Sequence, residues 1–323
     1  MLKDEVLKEL SAGKTVSGQT LANKYGVSRT AVWKAVSALK ASGYKIRGAN
    51  NSGYTLKGRD VLSPEQIAES AMEYAGKFGL EKGLDGVEII CAESVDSTNN
   101  EAKRLAAENG NCRLIAAEEQ TDGRGRLGRS FYSPKGTGAY FSLALHGQTE
   151  FSEAVKFTSL AAVAVCRAVE NLTGLSPKIK WVNDVYLNGK KFCGILTEAV
   201  ADVESGKVSD VIIGIGINLS TENFPEGVAA TSLGNENLAR GEIISAVALE
   251  ILNGREGAMR GEHIPFYRAH DILCGKKISY YVSGEKKRGV AAGINSGGGL
   301  MVETESGVVT LTGGEVTVRI KAK

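Results

Sequence analysis

Three arginines and three glycines share the seven positions Gly123-Arg124-Gly125-Arg126-Leu127-Gly128-Arg129, and that run limits what can be built around it. Glycine costs about 1 kcal/mol per site in a helix interior, and the run lacks the apolar alternation of a half-buried strand. It must be a loop, so the surrounding elements have to break there. Exposed backbone N–H groups interleaved with guanidinium forks suit a phosphate or carboxylate ligand. The string from Gly123 to Gly128-Arg129-Ser130 approximates a P-loop. Arginine stands at the lysine position, however, and Phe131-Tyr132-Ser133-Pro134 is a poor helix start. A solvated nucleic-acid-binding loop is the other reading.

The segments on either side read as strands and helices. Lys178 to Leu187 reads as one strand that turns at Asn188-Gly189 and returns from Lys190 to Glu198, Asn-Gly being a strong hairpin signal. Lys180, Asp184 and Lys191 then form one charged cluster, or else a surface salt-bridge ladder. A third strand, Val211 to Asn218, puts Gly214, Gly216 and Asn218 on one face, and strand glycines mark close approach of a ligand or of backbone. It is no dinucleotide fingerprint, because Leu219-Ser220-Thr221 leads to Phe224-Pro225 and not to a helix. Upstream, the spacing predicts a helix over 65–77, a strand over 87–91, and a helix running to Asn109-Gly110 with Thr98 and Glu101 as its capping box. Polar groups at that helix start also suit a ligand head group. Residues 152–172 predict a nearly all-apolar core helix.

The net charge of +2 hides an asymmetry. Residues 1–60 hold 11 Lys/Arg against 4 Asp/Glu, a net +7 that leaves −5 on the rest. A basic head on a mildly acidic body indicates a separate domain with a polyanionic partner. Leu2, Val6, Leu7 and Leu10 give a first helix; Ser17 caps a second that stops at Gly26; Ser28 starts a third. In the third, Val32, Val36 and Leu39 face inward, while Arg29, Thr30, Trp33, Lys34 and Ser37 lie off that stripe. This is a helix-turn-helix, and Tyr44–Arg47 with Gly53–Leu56 supplies a hairpin wing. The alternative is a small interaction module, but the charge and the polar start of the third helix supply phosphate and base-edge contacts together.

Residues 270–323 hold short runs separated by Gly-rich turns and read as a small β-barrel. Five widely spaced cysteines without a CxxC pair argue against a disulfide framework or zinc site. Three histidines leave little material for a metal cluster or a Ser-His-Asp triad, so no protein-held metal is expected. With no apolar run of about 18 residues and no signal-peptide region, a cytoplasmic protein without membrane contact is expected.

Taken in order, these segments resemble biotin–protein ligases over essentially the whole chain. The Gly123–Arg129 loop is similar to that family's biotin-binding and adenylate-ordering loop. Lys180-Trp181-Val182-Asn183-Asp184 is similar to its Lys-Trp-Pro-Asn-Asp segment, and Lys191 falls where its central lysine does. Asp96-Ser97-Thr98-Asn99 and Gly214-Ile215-Gly216-Ile217-Asn218 match two further blocks. The winged head and tail match the bifunctional class that also represses biotin synthesis genes. The fold implied is α+β: a winged helix-turn-helix over 1–60, a mixed α/β ligase domain of the biotin/lipoate ligase type over 61–269, and an SH3-like β-barrel over 270–323.

The resemblance implies ATP, biotin and Mg²⁺ as substrates and cofactor, and biotinyl-5′-AMP as intermediate and corepressor. It implies a biotin carboxyl carrier domain, operator DNA and a second copy of the chain as partners. Lys191, Arg126 and Asp184 would be catalytic. Biotin would meet Ser97, Thr98, Asn99 and Gln120 together with Arg124, Gly125, Arg126 and Lys191. The nucleotide would meet Gly123, Arg126, Arg129 and Lys180, with Asn183, Asn218 and Arg319. DNA would meet Gln19, Thr20, Ser28, Arg29, Thr30, Trp33 and Lys34. Val182 replaces the family's proline, so local rigidity is expected to differ and activity to persist. Three other readings are a lipoate ligase, which should lack the head; a non-enzymatic sensor, which should lose the Lys191 charge; and a plain winged-helix regulator, which has no need of the arginine–glycine loop.

Overall fold

Helix signals and apolar stripes build the first unit of the computed structural model, which describes residues 2–11, 15–41, 43–49, 53–60, 62–106, 111–149, 153–201, 208–235, 238–282, 285–312 and 319–320. Leu2–Ser11 forms α1, Gly18–Tyr25 forms α2 and Arg29–Ala41 forms α3. Ser17 Oγ accepts from Thr20 N at 3.0 Å, and Ser28 Oγ accepts from Ala31 N at 3.1 Å. Gly26 ends α2 at φ 64°, a left-handed conformation that favours glycine. Val32, Val36 and Leu39 meet Val6, Leu10 and Leu21 in a core of their own. The antiparallel hairpin of β1 (Tyr44–Ala49) and β2 (Gly53–Arg59) follows. Residues 1–61 with 239–241 make one compact unit.

The second unit spans 62–238 and 242–323. Its seven-stranded sheet comprises β3 (Val87–Val95), β4 (Cys112–Gln120), β5 (Gly138–Thr149), β6 (Lys178–Lys180), β7 (Asp184–Leu187), β8 (Lys190–Ala201) and β9 (Val208–Asn218). Their order is β3-β4-β5-β9-β8-β7-β6, parallel between β3 and β4 and antiparallel elsewhere. The other elements are α4 (Pro64–Phe78), α5 (Thr98–Ala106), α6 (Ala154–Thr173), α7 (Arg240–Met259) and α8 (Ile264–His270). Ile213, Ile215 and Ile217 of β9 share the main core with α6 and α7. Because side chains alternate along a strand, Ile212, Gly214, Gly216 and Asn218 face the other way, where Ile212 packs with Ala102 of α5. Register aligns Ser142, Gly214 and Leu196 in one row, and Tyr140, Gly216 and Gly194 in the next.

The C-terminal segment is a five-stranded antiparallel sheet, in the order β13 (Gly307–Leu311), β12 (Leu300–Thr304), β11 (Glu285–Ile294), β10 (Lys277–Val282) and β14 (Arg319–Ile320). Ile278, Tyr280, Leu300 and Val302 bury into the main core, so this sheet and the seven-stranded body share one apolar interior.

Two local expectations need correction. Lys178–Leu187 is not one strand: β6 and β7 pair across a turn at Trp181-Val182-Asn183, with Lys180 opposite Asp184. Neighbouring strand residues point to opposite faces, yet Trp181 and Val182 both bury into the same core, so the chain has to turn. Trp181 Nε1 also donates to Gly298 O at 2.8 Å, and the Trp181–Val182 peptide is cis. Second, Thr98 does not cap α5 but opens it, with Glu101 N bonding Ser97 O at 2.9 Å. α5 is described to Ala106, and its expected end at Asn109-Gly110 lies outside the described residues. Among the described residues no helix is long and apolar enough to cross a membrane.

Candidate active site

The arginine–glycine run folds back on itself between β4 and β5. Phe131 N donates to Gly123 O at 2.7 Å and Gly125 N to Arg129 O at 2.6 Å, with a tight turn over Arg126–Gly128. Leu127 at the tip has φ 58° and is exposed. The loop bounds a cavity of about 170 Å³ whose lining includes Arg124, Arg126, Arg129, Lys180, Lys191 and Asp184. Lys191 Nζ donates to Asp184 Oδ1 at 2.6 Å. Arg126 Nη1 donates to Asn183 Oδ1 at 3.3 Å, and Asn183 is held by Nδ2 donating to Ile195 O at 3.1 Å. Burial lowers the pKa of both Arg126 and Lys180, with Asp184 acting in the opposite direction. Five cations and one carboxylate among the lining residues leave a strong preference for an anionic guest.

A second, smaller cavity adjoins the first and shares Arg124, Phe131 and Gly194 with it. Ser97, Thr98 and Asn99 enter it from the start of α5, Gln120 from the end of β4, and Gly214 and Gly216 from β9. Thr98 N donates to Gln120 Oε1 at 2.9 Å, and Gln120 Nε2 to Ser133 Oγ at 2.9 Å. Ser142 Oγ donates to Asn99 Oδ1 at 2.6 Å, while Asn99 Nδ2 donates to Leu196 O at 3.1 Å and Glu198 Oε2 at 2.8 Å. The strand glycines do mark close approach, but of side chains: a Cβ on Gly214 would collide with the Asn99 carboxamide, and one on Gly216 with the Phe131 ring. Outside the cavity, hydrogen bonds from Arg104 and Asn100 hold the Asp96 carboxyl well below the usual range.

The structure thus gathers Ser97, Thr98, Asn99 and Gln120 at one cavity and Gly125, Arg126, Arg129, Lys180, Asn183, Asp184 and Lys191 at the other, with Arg124 at both. Gly123 and Asn218 line neither. Gly123 is buried at the loop base, where a Cβ would collide with Phe131 O. Asn218 Nδ2 donates to Thr231 O at 3.2 Å, and its buried Oδ1 has no partner among the described residues. Arg319 lies in β14, and its side chain is outside the described residues. Sequence reasoning missed Phe131, Ser142 and Glu198. Ser142 left a signal, as the lone serine in the apolar stretch Ala139–Leu145. Phe131 left none, because only the folding of the loop back over the sheet puts it against Gly216.

In the first unit Gln19, Thr20, Ser28, Arg29, Thr30, Trp33 and Lys34 are all exposed. Gln19, Arg29, Thr30 and Trp33 line one concave surface with Gly48 and Tyr54 of the hairpin; Thr20, Ser28 and Lys34 lie outside it.

Fold and cleft together define a protein with a body made to hold an anion beside a neutral polar ligand, and a helix-turn-helix unit suited to a polyanion. The family model of biotin/lipoate A/B protein ligases matches residues 91–218, and a helix-turn-helix domain model matches 3–55. The chain is 34% identical to the bifunctional ligase/repressor BirA of Bacillus spizizenii, over 91% of this chain and 90% of that one. It is 26% identical to the Escherichia coli protein of the same description, over 97% and 96%. Among solved structures, the biotin protein ligase of Aquifex aeolicus in complex with biotin and ATP superposes with a TM-score of 0.62 at 28% identity. That match covers 72% of this chain and 99% of the other. The chain belongs to the biotin/lipoate A/B protein ligase family and, within it, to the bifunctional ligase/repressors.

Proposed function

We propose that the chain joins biotin to ATP as biotinyl-5′-AMP, passes the biotinyl group to a lysine of a biotin carboxyl carrier domain, and represses biotin synthesis genes through its head. The adjoining of a neutral polar cavity and a cationic cavity carries this reading. Biotin has a neutral ureido ring at one end and a carboxylate at the other, matching that polarity. On this reading Ser97, Thr98, Asn99 and Gln120 surround the ring, while Arg124, Gly125, Arg126 and Lys191 receive the carboxylate. Arg129, Lys180 and Asn183 meet the nucleotide, with Asn218 and Arg319 further out and Gly123 shaping the loop. The biotin carboxylate is ionised at neutral pH and attacks the α-phosphate without a general base. The protein has to bring two anions together and neutralise the charge that grows on phosphate and departing pyrophosphate. Lys191, positioned by Asp184, and Arg126 perform that task. Closure of the arginine–glycine loop keeps the mixed anhydride from water. In the second step Asp184 orients the incoming carrier amine or takes its proton.

Mg²⁺ fits in a limited way. Among the described residues Asp184 is the single carboxylate lining the cationic cavity, and it is engaged by Lys191, so the ion would rest mainly on nucleotide phosphates, where it would supply charge neutralisation. The reading divides the chain at 1–60, 61–269 and 270–323, with homodimerisation as part of repression. Free thiols at Cys91, Cys112, Cys166, Cys193 and Cys274 support a reducing, cytoplasmic setting.

Incubation with ATP, Mg²⁺, a carrier domain and either biotin or lipoate tests the reaction. Pyrophosphate release and carrier modification are expected with biotin alone. Lys191→Ala should slow adenylate formation by roughly 10²–10³; near-parental pyrophosphate release would remove Lys191 from the mechanism.

A further inference from the structure

The smaller cavity has a hydrogen-bond polarity, and proton counting fixes it. Asn99 Nδ2 faces two acceptors, Leu196 O and Glu198 Oε2, so its carboxamide orientation is determined and Oδ1 must point to Ser142. Glu198 is in turn anchored by Lys103 Nζ, which donates to Oε1 at 2.6 Å. Asn99 Oδ1 carries no proton, so the single Ser142 hydroxyl proton is committed to it. Thr98 Oγ1 lies 2.7 Å from Ser142 Oγ and 3.2 Å from Gln120 Oε1. Were the Thr98 proton aimed at Gln120, two oxygens would meet at 2.7 Å with no proton between them. Gln120 Oε1 already accepts from Thr98 N. The Thr98 proton therefore goes to Ser142, and Thr98 Oγ1 keeps only lone pairs for the cavity it lines.

We infer that Lys103, Glu198, Asn99 and Ser142 are positioning residues that lock Thr98 as a hydrogen-bond acceptor, so that the cavity selects a ligand offering an N–H at that point and rejects one offering an acceptor. The inference rests on the placement of the ureido ring proposed above. Ser142 is fully buried, and Asn99 and Thr98 nearly so. Water therefore cannot easily resupply a misdirected proton, and the polarity holds when ligand enters. A dithiolane, which has no N–H, gains nothing from such an acceptor. An acceptor placed against Thr98 meets a buried lone pair, the kind of mismatch that sites built around one hydrogen bond reject strongly.

The test compares biotin with its two cyclic-carbamate analogues, in which one or the other ring N–H is replaced by oxygen, as substrates for pyrophosphate release by the full-length protein. The parent is expected to discriminate against the analogue whose oxygen faces Thr98. Ser142→Ala frees the Thr98 hydroxyl to donate, so that analogue should gain relative to biotin by about tenfold or more in kcat/KM, while KM for ATP stays within about twofold. Glu198→Ala, which removes the acceptor held against Asn99, should relax the ratio. A Ser142→Ala enzyme that loses activity on all three ligands equally would reduce Ser142 to a packing residue and overturn the inference. So would a parent that accepts both carbamates as well as biotin. If the parent releases no pyrophosphate with biotin itself, the ligand placement fails first and the inference falls with it.

Discussion

Gly214 is glycine because Asn99 uses the space. Asn99 cannot retreat, since Leu196 and Glu198 take both N–H groups of its carboxamide and Ser142 holds the oxygen. Gly214→Ala should therefore misplace Asn99 and Thr98, raise KM for biotin by about tenfold or more and leave KM for ATP nearly unchanged. Steady-state kinetics with each substrate varied would check this, and equal changes in both KM values would show a general distortion. Gly123 raises the same issue for a different function. Its backbone is not in the left-handed region, so conformational freedom is not what glycine supplies there. A side chain would collide with Phe131 O and Ser133 Oγ, both part of the loop base. Gly123→Ser should loosen the closed loop and shorten the lifetime of bound biotinyl-5′-AMP. A chase of preformed complex reads that lifetime; an unchanged value would mean that the loop is no lid.

Between α6 and α8, His263 and Ser159 meet at 2.7 Å. Ser159 Oγ donates to Lys156 O at 3.0 Å, so His263 Nε2 must carry the proton that joins them. His263 Nδ1 is then bare, buried and without a partner among the described residues. A second proton would need an acceptor there. Burial, with the positive charges of Arg167 and Lys156, lowers the His263 pKa to about 4. Above the ordinary value near 6.5 both folded and unfolded chains are neutral at this group. As pH falls from there toward 4 the unfolded chain takes the proton and the folded chain does not, so stability is lost, by up to about 3 kcal/mol. Denaturation midpoints across that window should fall more steeply for the parent than for His263→Gln. Parallel slopes would mean that His263 is not held neutral.

The chain divides its labour between two compact units, and the net +7 of residues 1–60 predicts where DNA binding resides. Deleting residues 1–59 should abolish retardation of operator DNA at physiological salt while biotin adenylation persists. Asp60 should be kept, because Arg240, which belongs to the same compact unit, donates to it from its backbone N, Nε and Nη2 at 2.8–3.0 Å. Retained operator binding by the truncated protein would place the DNA reader elsewhere.

Much of this architecture is written in local patterns. The caps at Ser17, Gly26 and Ser28, the stripe of Val32, Val36 and Leu39, and the loop at Gly123–Arg129 all depend on residues within a few positions of one another. Propensity and periodicity act over that range, and the charge of the head needs only counting. The order of the motifs was enough to place the chain beside its relatives. What the sequence could not determine is which distant side chains share a volume. Gly214 and Asn99 are far apart in the chain, and nothing local says that one makes room for the other. The break at Trp181-Val182 likewise follows from a core that both residues must reach, against the alternation that a strand would impose. Strand register decided that Ser142 would lie beside Gly214 and Tyr140 beside Gly216, and close packing then decided that the glycines were spaces for neighbours. Those outcomes depend on volume exclusion and hydrogen-bond completion between remote segments, which exist only once the chain has folded.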